Sequence, residues 1–305
     1  MLNQTIFKTK LKKINEFIVP IDKLSSVIFD TDKEGIDGIV ENRHLDILTP
    51  FSLNLLKDNN GNDILLDPLD KLIIIVAISE QLAGNDVITF SRLFHDIGGG
   101  DKLIHAPIIQ AVLVDRISKL RRTEISVDLT ELLAKFKNYA ETLGVNPNHN
   151  GKIILTGALL PSETISAVIN GKIIEGAIHF LASPIIFIIA NMKNQIARFN
   201  PDLLDVPIKT TEQTLKLKFY LLERILKIKG SHDPKRNKRV RKLNNSILFE
   251  TIYRQCGLAD ATRRQKQEAR KNITQILDHF VSQNFIKNYE IVKQDSSFFS
   301  ISILF

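Results

Sequence analysis

Helical and strand-like patterns follow one another in a recurring order along the chain. The apolar run LDKLIIIVAISEQLAG predicts a helix that Asp67 caps, Pro68 begins and Gly84 ends. ITFSRLFHDIGGG predicts a short helix capped by Thr89, and APIIQAVLVDRISKLRRTE predicts a longer third helix. TEISVDLT alternates between apolar and polar residues, as a strand does. This is the element order of a winged helix, a helix-turn-helix variant with a β-hairpin wing.

The longer third helix is expected to be amphipathic. Its predicted inward positions are Ile108, Ala111, Val112, Ile117 and Leu120, and its predicted outward positions are Gln110, Asp115, Arg116 and Lys119. Residues 129–140 then predict another short helix. GKIILTGALL and SETISAV predict strands, Asn170-Gly171 a hairpin turn, and KIIEGAIHFL the returning strand. A further helix is expected over residues 183–199.

After Pro207 the same order of elements recurs. TTEQTLKLKFYLLERILKIKG predicts a long helix, and SILFETIYRQCGL a short one with Ser246 as N-cap and Gly257 as its stop. TRRQKQEARKNITQILDHFVSQNFI predicts the third helix, and IKNYEIV and SFFSISI predict the hairpin. We therefore predict an α+β protein with two winged-helix domains in tandem, joined by a long helix. The expected divisions are a partly ordered N-terminal arm (1–63), a first winged-helix domain with an extended strand region (64–206) and a second, principal DNA-binding one (207–305).

Positive charge is concentrated in one part of this pattern. The 305 residues carry a formal net charge of +7. Between Lys229 and Lys271 there are thirteen Lys or Arg against four Asp or Glu, so the remainder of the chain is close to neutral. The densest stretch is KGSHDPKRNKRVRKLNNS, which lies between two predicted helices. Taken alone, such a run is typical of a solvated loop, but so local a charge also suits a polyanionic partner.

The third helix of the second domain divides into an apolar half and a polar half. Ile273, Ile276, Leu277, Phe280 and Val281 share one face and are expected to pack. The polar first half, TRRQKQEARK, is where a recognition helix enters the major groove of DNA. The predicted DNA-binding residues are Lys235, Arg236, Lys238, Arg239, Arg241 and Lys242 of the loop, Arg263, Arg264, Lys266, Gln267, Arg270 and Lys271 of the helix, and Lys287 beside the wing.

The sequence carries no recognised motif for catalysis or for metal or cofactor binding. The seven His form no H-x-H or H-E-x-x-H motif, and the single cysteine, Cys256, is expected to be a buried structural residue. No P-loop or G-x-S-x-G motif occurs, so we expect no catalytic residue, no metal and no cofactor. AIHFLASPIIFIIANM is too short for a membrane span and is expected to be a buried strand followed by a buried helix. Together with the lack of a signal-peptide pattern, this predicts a cytoplasmic protein with no membrane partner.

Three segments of the second half resemble a known family. DVPIKTTEQTLKLKFYLLERILKIKG, KLNNSILFETIYRQCGL and ARKNITQILDHFVSQNFIKNYEI are similar to plasmid replication initiators of low-GC Gram-positive plasmids and mobile elements, which bind repeated origin sequences called iterons. The first half matches in element order only, and its strand region, residues 151–181, is long for a simple wing. The resemblance implies origin binding, strand opening and recruitment of host replication proteins without catalysis. It also implies that the first winged helix can serve in dimerisation.

The resemblance assigns base-reading or phosphate contacts to Arg263, Arg264, Lys266, Gln267, Arg270 and Lys271. The expected partners are double-stranded DNA with origin repeats, a host replication helicase or initiator protein, and a second copy of the chain as a dimer. A winged-helix transcriptional repressor would use the same DNA-binding parts. A helicase loader or scaffold, whose basic loop meets acidic protein surfaces, is the alternative from another class. The rolling-circle mechanism is disfavoured because it requires a His-x-His metal site.

Overall fold

The computed structural model describes residues 11–29, 37–42, 47–98, 107–146, 151–169, 171–232, 242–294 and 297–305. The helices are α1 (Lys23–Ile28), α2 (Pro68–Leu82), α3 (Phe90–Gly98), α4 (Pro107–Arg122), α5 (Thr130–Lys135), α6 (Lys137–Thr142), α7 (Ile185–Met192), α8 (Glu212–Ser231), α9 (Phe249–Gln255) and α10 (Arg263–Ser282). The strands are β1 (Phe17–Pro20), β2 (Asp37–Asn42), β3 (Ile47–Asn54), β4 (Val87–Thr89), β5 (Glu124–Asp128), β6 (Ile154–Ala158), β7 (Ser162–Ile169), β8 (Lys172–Phe180), β9 (Ile196–Phe199), β10 (Ser246–Leu248), β11 (Asn288–Gln294) and β12 (Ser297–Leu304). Pro201–Leu204 forms a 3-10 helix. The predicted mixture of helices and antiparallel sheets is confirmed.

Helix α2 lies at the centre of the molecule. The Asp67 side chain accepts hydrogen bonds from the backbone N–H groups of Leu69 and Asp70, and the Asp70 side chain accepts one from the Asp67 N–H. This reciprocal cap confirms the predicted start of the helix. Residues 68–80 are all buried, because α2 packs against β1, α3, α4 and α8. The helix ends before Gly84, whose φ of +83° is favourable only for a residue without a Cβ.

Among the four small sheets that the described residues form, two have the same strand arrangement. In one the strand order is β4-β8-β7, and in the other it is β10-β12-β11. Each has the last strand in the centre, a three-residue first strand that leads directly into a short helix, and a long helix before the hairpin. The recurrence is therefore α2–β4–α3–α4–β7–β8 followed by α8–β10–α9–α10–β11–β12. In the first set, β5, α5, α6 and β6 are inserted between α4 and the hairpin.

This topology changes several sequence-based predictions. Strand β5 does not pair with the hairpin, but lies between β3 and β6 in a four-stranded sheet. Ser246 is not an N-cap: it begins β10 and pairs with Ser302 of β12, and α9 starts only at Phe249 without a side-chain cap. Residues 129–140 contribute to two helices, α5 and α6, rather than one. The helix expected over 183–199 ends at Met192, after which β9 pairs with β1.

The residues expected to form an N-terminal arm contribute to both the core and the sheets. Phe17 and Val19 of β1 are buried, and β1 pairs antiparallel with β9. Asp22 caps α1 by accepting hydrogen bonds from the N–H groups of Leu24 and Ser25. Strand β3 pairs with β5, which attaches it to the sheet inserted after α4.

Ion pairs join the first turns of α2 and α8 through α4. The Arg116 guanidinium lies 2.9 Å from Asp67, 2.9 Å from Asp70 and 2.5 Å from Glu212, and Lys119 lies 2.6 Å from Asp70. Burial and the neighbouring Asp67 raise the pKa of Asp70, despite the two cations. Arg116 and Lys119 were predicted to point outward. That was wrong because periodicity cannot distinguish a solvated cation from one paired with a buried carboxylate.

A second charged cluster joins the start of α2 to the middle of α8. The Lys71 Nζ, 1% exposed, lies 2.6 Å from Glu223, and Lys227 lies 2.5 Å from the same carboxylate oxygen. Burial lowers the pKa of Lys71 to about 8, although Glu223 acts in the opposite direction. Burial alone would raise the pKa of Glu223, but Lys227 and Lys71 lower it to about 2. The carboxylate is therefore ionised across the physiological range.

Candidate nucleic-acid interface

Helix α10 is buried on one face and exposed through its first turns. Thr262 caps it by accepting a hydrogen bond from the Gln265 N–H, and the Gln265 side chain accepts from the Thr262 N–H. Ile273, Ile276, Leu277 and Phe280 are fully buried, and Val281 packs against the core, which confirms the predicted facing. The first-turn residues Arg263 and Arg264 are exposed. The cap begins the helix without using any of the cationic side chains, so these are left for other contacts.

A groove separates the exposed face of α10 from the β11–β12 hairpin. Its volume is about 370 Å³, and it is lined by Arg263, Gln267, Arg270, Lys271, Thr274, Ile291 and Phe298. Four of the predicted DNA-binding residues therefore lie along one wall, at the three- to four-residue spacing of a helix face. The opposite wall is formed by the hairpin. The groove thus combines three cations, a carboxamide and an apolar side.

The Arg270 side chain is held in place by two aromatic residues. Its guanidinium carbon lies 4.6 Å from the centre of the Phe298 ring, and one of its N–H groups donates to the Tyr253 hydroxyl at 3.2 Å. Phe298 packs edge-on against Phe249, with ring centres 5.7 Å apart. Cation–π contact and a fixed hydrogen bond limit the conformations of the long side chain. Arg270 is therefore preorganised at the groove, whereas Arg263 and Lys271 are exposed.

The other predicted residues of the helix and hairpin lie outside this groove. Lys266 donates to the Ala259 carbonyl at 2.6 Å and lies over the Tyr253 ring at 5.6 Å, so it also stabilises the turn before α10. Arg264 is exposed but does not line the groove. Lys287, just before β11, and Lys242, at the end of the basic loop, are both exposed. Lys235, Arg236, Lys238, Arg239 and Arg241 lie outside the described residues.

Sequence reasoning missed three residues that belong to this surface. Phe298 contacts Arg270, and Lys293 of β11 lies 5.1 Å from the same ring. Tyr253 of α9 holds both Arg270 and Lys266. The only signal in the sequence was an aromatic pair in SFFSISI, and alternation along a strand does not show which of two neighbouring rings meets α10. The contact depends on how the hairpin packs, which is not a local property.

Helix α4, at the corresponding position of the first set of elements, presents a different surface. Ile108 is 79% exposed and Val114 is 42% exposed, and Ala111 is also exposed. The predicted inward positions Ile108 and Ala111 are therefore wrong. Ile117 and Leu120 are buried as predicted, and Ile109 and Leu113 complete the buried face. The first turns of α4 expose apolar residues where those of α10 expose cations, so the two helices suit different contacts.

Other chemistry is not indicated by the described part of the chain. Within the eight described ranges, no group of three or more His, Cys, Asp or Glu is placed to hold a metal ion. None of the helices described is long and apolar enough to cross a membrane. Cys256 is buried at the end of α9, and burial raises the pKa of its thiol, which agrees with the predicted structural role.

Comparisons with known proteins give limited further information. Neither a protein-family model nor a curated protein sequence matches the chain. Two solved structures of domains 2 and 3 of RctB are similar to it, one of them as selenomethionine derivatives. Their sequences are 11% and 10% identical to this chain, and the TM-scores are 0.41 and 0.43. The matched regions cover 89% and 90% of this chain, and 91% and 92% of the two RctB chains. Similarity at this level carries no argument about function.

Proposed function

We propose that the chain is a sequence-specific DNA-binding protein that initiates replication at repeated origin sites of a plasmid or mobile element, without catalysis of its own. In this proposal α8–β10–α9–α10–β11–β12 is a winged helix with α10 as recognition helix and β11–β12 as wing. The set α2–β4–α3–α4–β7–β8 is the first winged helix of a tandem pair. The shared strand order of the two small sheets supports the assignment.

The observation that carries the proposal is the cationic groove between α10 and the hairpin. Arg263, Gln267, Arg270 and Lys271 converge there, on the first half of a helix whose second half is buried. Recognition helices bind the major groove through their first turns, and a wing contacts the adjacent backbone. The side chains are of the required types, since Arg pairs bidentately with guanine, Gln with adenine, and Lys with phosphate.

The contacts on the groove suggest a division of roles. Arg270, held by Phe298 and Tyr253, is preorganised for a base edge, where geometry matters most. Gln267 lies one turn before it on the same wall and is the candidate for reading adenine. Arg263 and Lys271, which are exposed, are assigned to phosphates. Phosphate contacts of this kind position the protein and carry most of the salt dependence.

Partners other than DNA belong to the same proposal. A host replication helicase or initiator protein would be recruited to the bound origin, and a second copy of the chain would form a dimer. The exposed apolar residues Ile108 and Val114 of α4 favour a protein contact over a DNA contact on that helix. The resemblance of the second half to plasmid initiators supports replication over transcriptional repression.

The test is binding of the purified chain to duplex DNA flanking its own gene, with a random duplex of equal length as control. Site-selective, laddered complexes are expected, because several copies should occupy repeated sites. Gln267→Ala should reduce the preference for the origin duplex. A plasmid carrying the minimal origin should replicate only when the protein is supplied. Equal affinity for both duplexes, or replication without the protein, would overturn the proposal.

A further inference from the structure

A larger cleft is lined by residues of α8, α9 and β10, together with Ser26 of α1 and Phe299 of β12. Its volume is about 600 Å³, within the range of small-molecule sites. The lining residues are Ser26, Tyr220, Glu223, Arg224, Lys227, Asn244, Ser246, Ile247, Leu248, Thr251, Arg254, Gln255 and Phe299. It shares no residue with the groove beside α10. The two sites therefore use different residues of the same winged-helix elements.

The base of the cleft carries more positive than negative charge. Glu223 is held by Lys71 at 2.6 Å and by Lys227 at 2.5 Å, so its charge is already matched by two cations. Lys227 also donates to the Ser26 hydroxyl at 2.9 Å. Arg224, the residue that follows Glu223 in α8, adds a further positive charge. An anion in the cleft would meet this excess charge at short range.

Arg224 has the features of an unused anion ligand. Its side chain is half-buried and lines the cleft, and neither a hydrogen bond nor an ion pair to it is found among the residues described. Removing a guanidinium from water without a partner is unfavourable, so such a group is normally paired. Arg254 of α9 lines the cleft as well, which places a second guanidinium near the first.

Part of the lining is apolar and includes an aromatic ring. Phe299 is 48% exposed and Leu248 is 39% exposed, and both line the cleft. An inorganic anion would leave this surface in contact with water. A ligand with a flat ring and a phosphate would contact both the apolar and the cationic residues, since aromatic side chains stack on bases of any sequence. Ser246 and Thr251 also line the cleft, and their hydroxyls are suitable donors to sugar or phosphate oxygens.

We propose that this cleft binds a nucleoside phosphate, with the phosphate on Arg224 and Lys227 and the base on Phe299. The same chemistry is present in a free nucleotide and in a nucleotide unit of single-stranded DNA. The free nucleotide would make the cleft a regulatory site, and the strand would make it a second DNA site. In either case the ligand occupies a surface separate from the duplex groove.

The experiment is calorimetric titration of the full chain with ADP, with a twelve-nucleotide oligo(dT), and with inorganic phosphate. Binding of ADP or oligo(dT), with weaker binding of phosphate, is expected. Arg224→Ala should weaken binding about tenfold or more, the effect of losing one charge-assisted contact. Arg122→Ala, an exposed arginine on α4, is the matched control and should leave binding unchanged. Binding of ADP alone identifies a free nucleotide as the ligand, and binding of oligo(dT) alone identifies the strand.

Two further variants keep the test independent of folding and of the proposed duplex binding. Phe299→Leu at a half-exposed strand position should weaken ADP or oligo(dT) binding, and it carries the test if Arg224→Ala fails to fold. Arg263→Ala with Lys271→Ala should lose duplex affinity and keep binding in the cleft. The proposal is overturned if no probe binds, or if Arg224→Ala and Arg122→Ala bind the probes equally while Phe299→Leu has no effect.

Discussion

Replacing Glu223 by leucine should destabilise the protein by about 3–5 kcal/mol, because it leaves Lys71 buried without its nearest carboxylate. Lys71 is 1% exposed and lies 2.6 Å from Glu223. The pair connects α2 to α8, and thus the first of the two recurring sets of elements to the second. A loss of this contact therefore affects both the charge balance of the core and the joint between the two sets.

The size of the effect follows from the pKa values of the two partners. Lowering the pKa of Glu223 from 4.5 to about 2 corresponds to about 3 kcal/mol, which is present above pH 4.5 and lost as pH falls through 2. Lowering the pKa of Lys71 from 10.5 to about 8 costs about 3 kcal/mol at pH 7, which is relieved as pH rises from 8 to above 10.5. The Lys71–Glu223 attraction enters both shifts, and Lys227 also lowers the pKa of Glu223, so the two energies are not added. A buried ion pair of this kind adds little net stability, because the cost of burial offsets the attraction, although breaking the pair is costly.

The double variant is the sharper test, because it removes both buried charges together. Lys71→Met together with Glu223→Leu should lie within about 1 kcal/mol of the unmodified protein, since apolar residues of similar size can replace a buried ion pair. Urea unfolding at pH 7, followed by circular dichroism, measures both variants. If Glu223→Leu unfolds at the same urea concentration as the unmodified chain, the carboxylate is not compensating Lys71. A double variant as unstable as the single one would show that packing, not charge, dominates.

Three other predictions concern packing, the groove and pH. Leu277→Ala should lower the free energy of unfolding by about 2–5 kcal/mol because Leu277 is fully buried. Arg264→Ala, at an exposed position, should change it by less than about 0.5 kcal/mol. Equal urea midpoints for the two variants would refute the facing of α10. Phe298→Leu removes the cation–π contact with Arg270, so duplex affinity measured by fluorescence anisotropy should fall about two- to fivefold. The circular dichroism spectrum should be unchanged. Unchanged affinity would mean that Arg270 does not depend on the Phe298 ring. Burial and a hydrogen bond with Glu80 raise the pKa of Asp96 to about 8, so the free energy of unfolding should fall as pH rises from about 4 to 8. The variant Asp96→Asn should flatten this pH profile. A variant with the same slope as the unmodified protein would contradict the assignment.

Local signals were sufficient for the elements whose ends are set by neighbouring residues. Asp67, Pro68 and Gly84 define α2 through a cap, a fixed φ and a left-handed turn, all within the helix or next to it. The buried face of α10 followed from spacing alone. Strand β10 was missed because its partner, β12, lies more than fifty residues later, and Ser246 has the character of a helix cap when it is considered alone.

The cationic residues of the candidate site could be predicted from the sequence, but the contacts that hold them in place could not. Arg263, Gln267, Arg270 and Lys271 share a helix face by periodicity, and the structure places all four on one groove. The ring that holds Arg270 comes from β12, and the second cleft involves α8 and β10. Contacts of this kind depend on tertiary packing, which a single sequence does not specify.

The salt dependence of duplex binding tests the central claim most directly. Affinity of the full chain for the origin duplex should fall with salt, and Arg263→Ala with Lys271→Ala should reduce the magnitude of the slope of log affinity against log salt by about 2, at roughly 0.9 per phosphate contact. Arg122→Ala should leave the slope unchanged. That result would place α10 on DNA. A slope that is the same in the double variant and the unmodified protein would show that the α10 groove is not where the chain meets the DNA backbone.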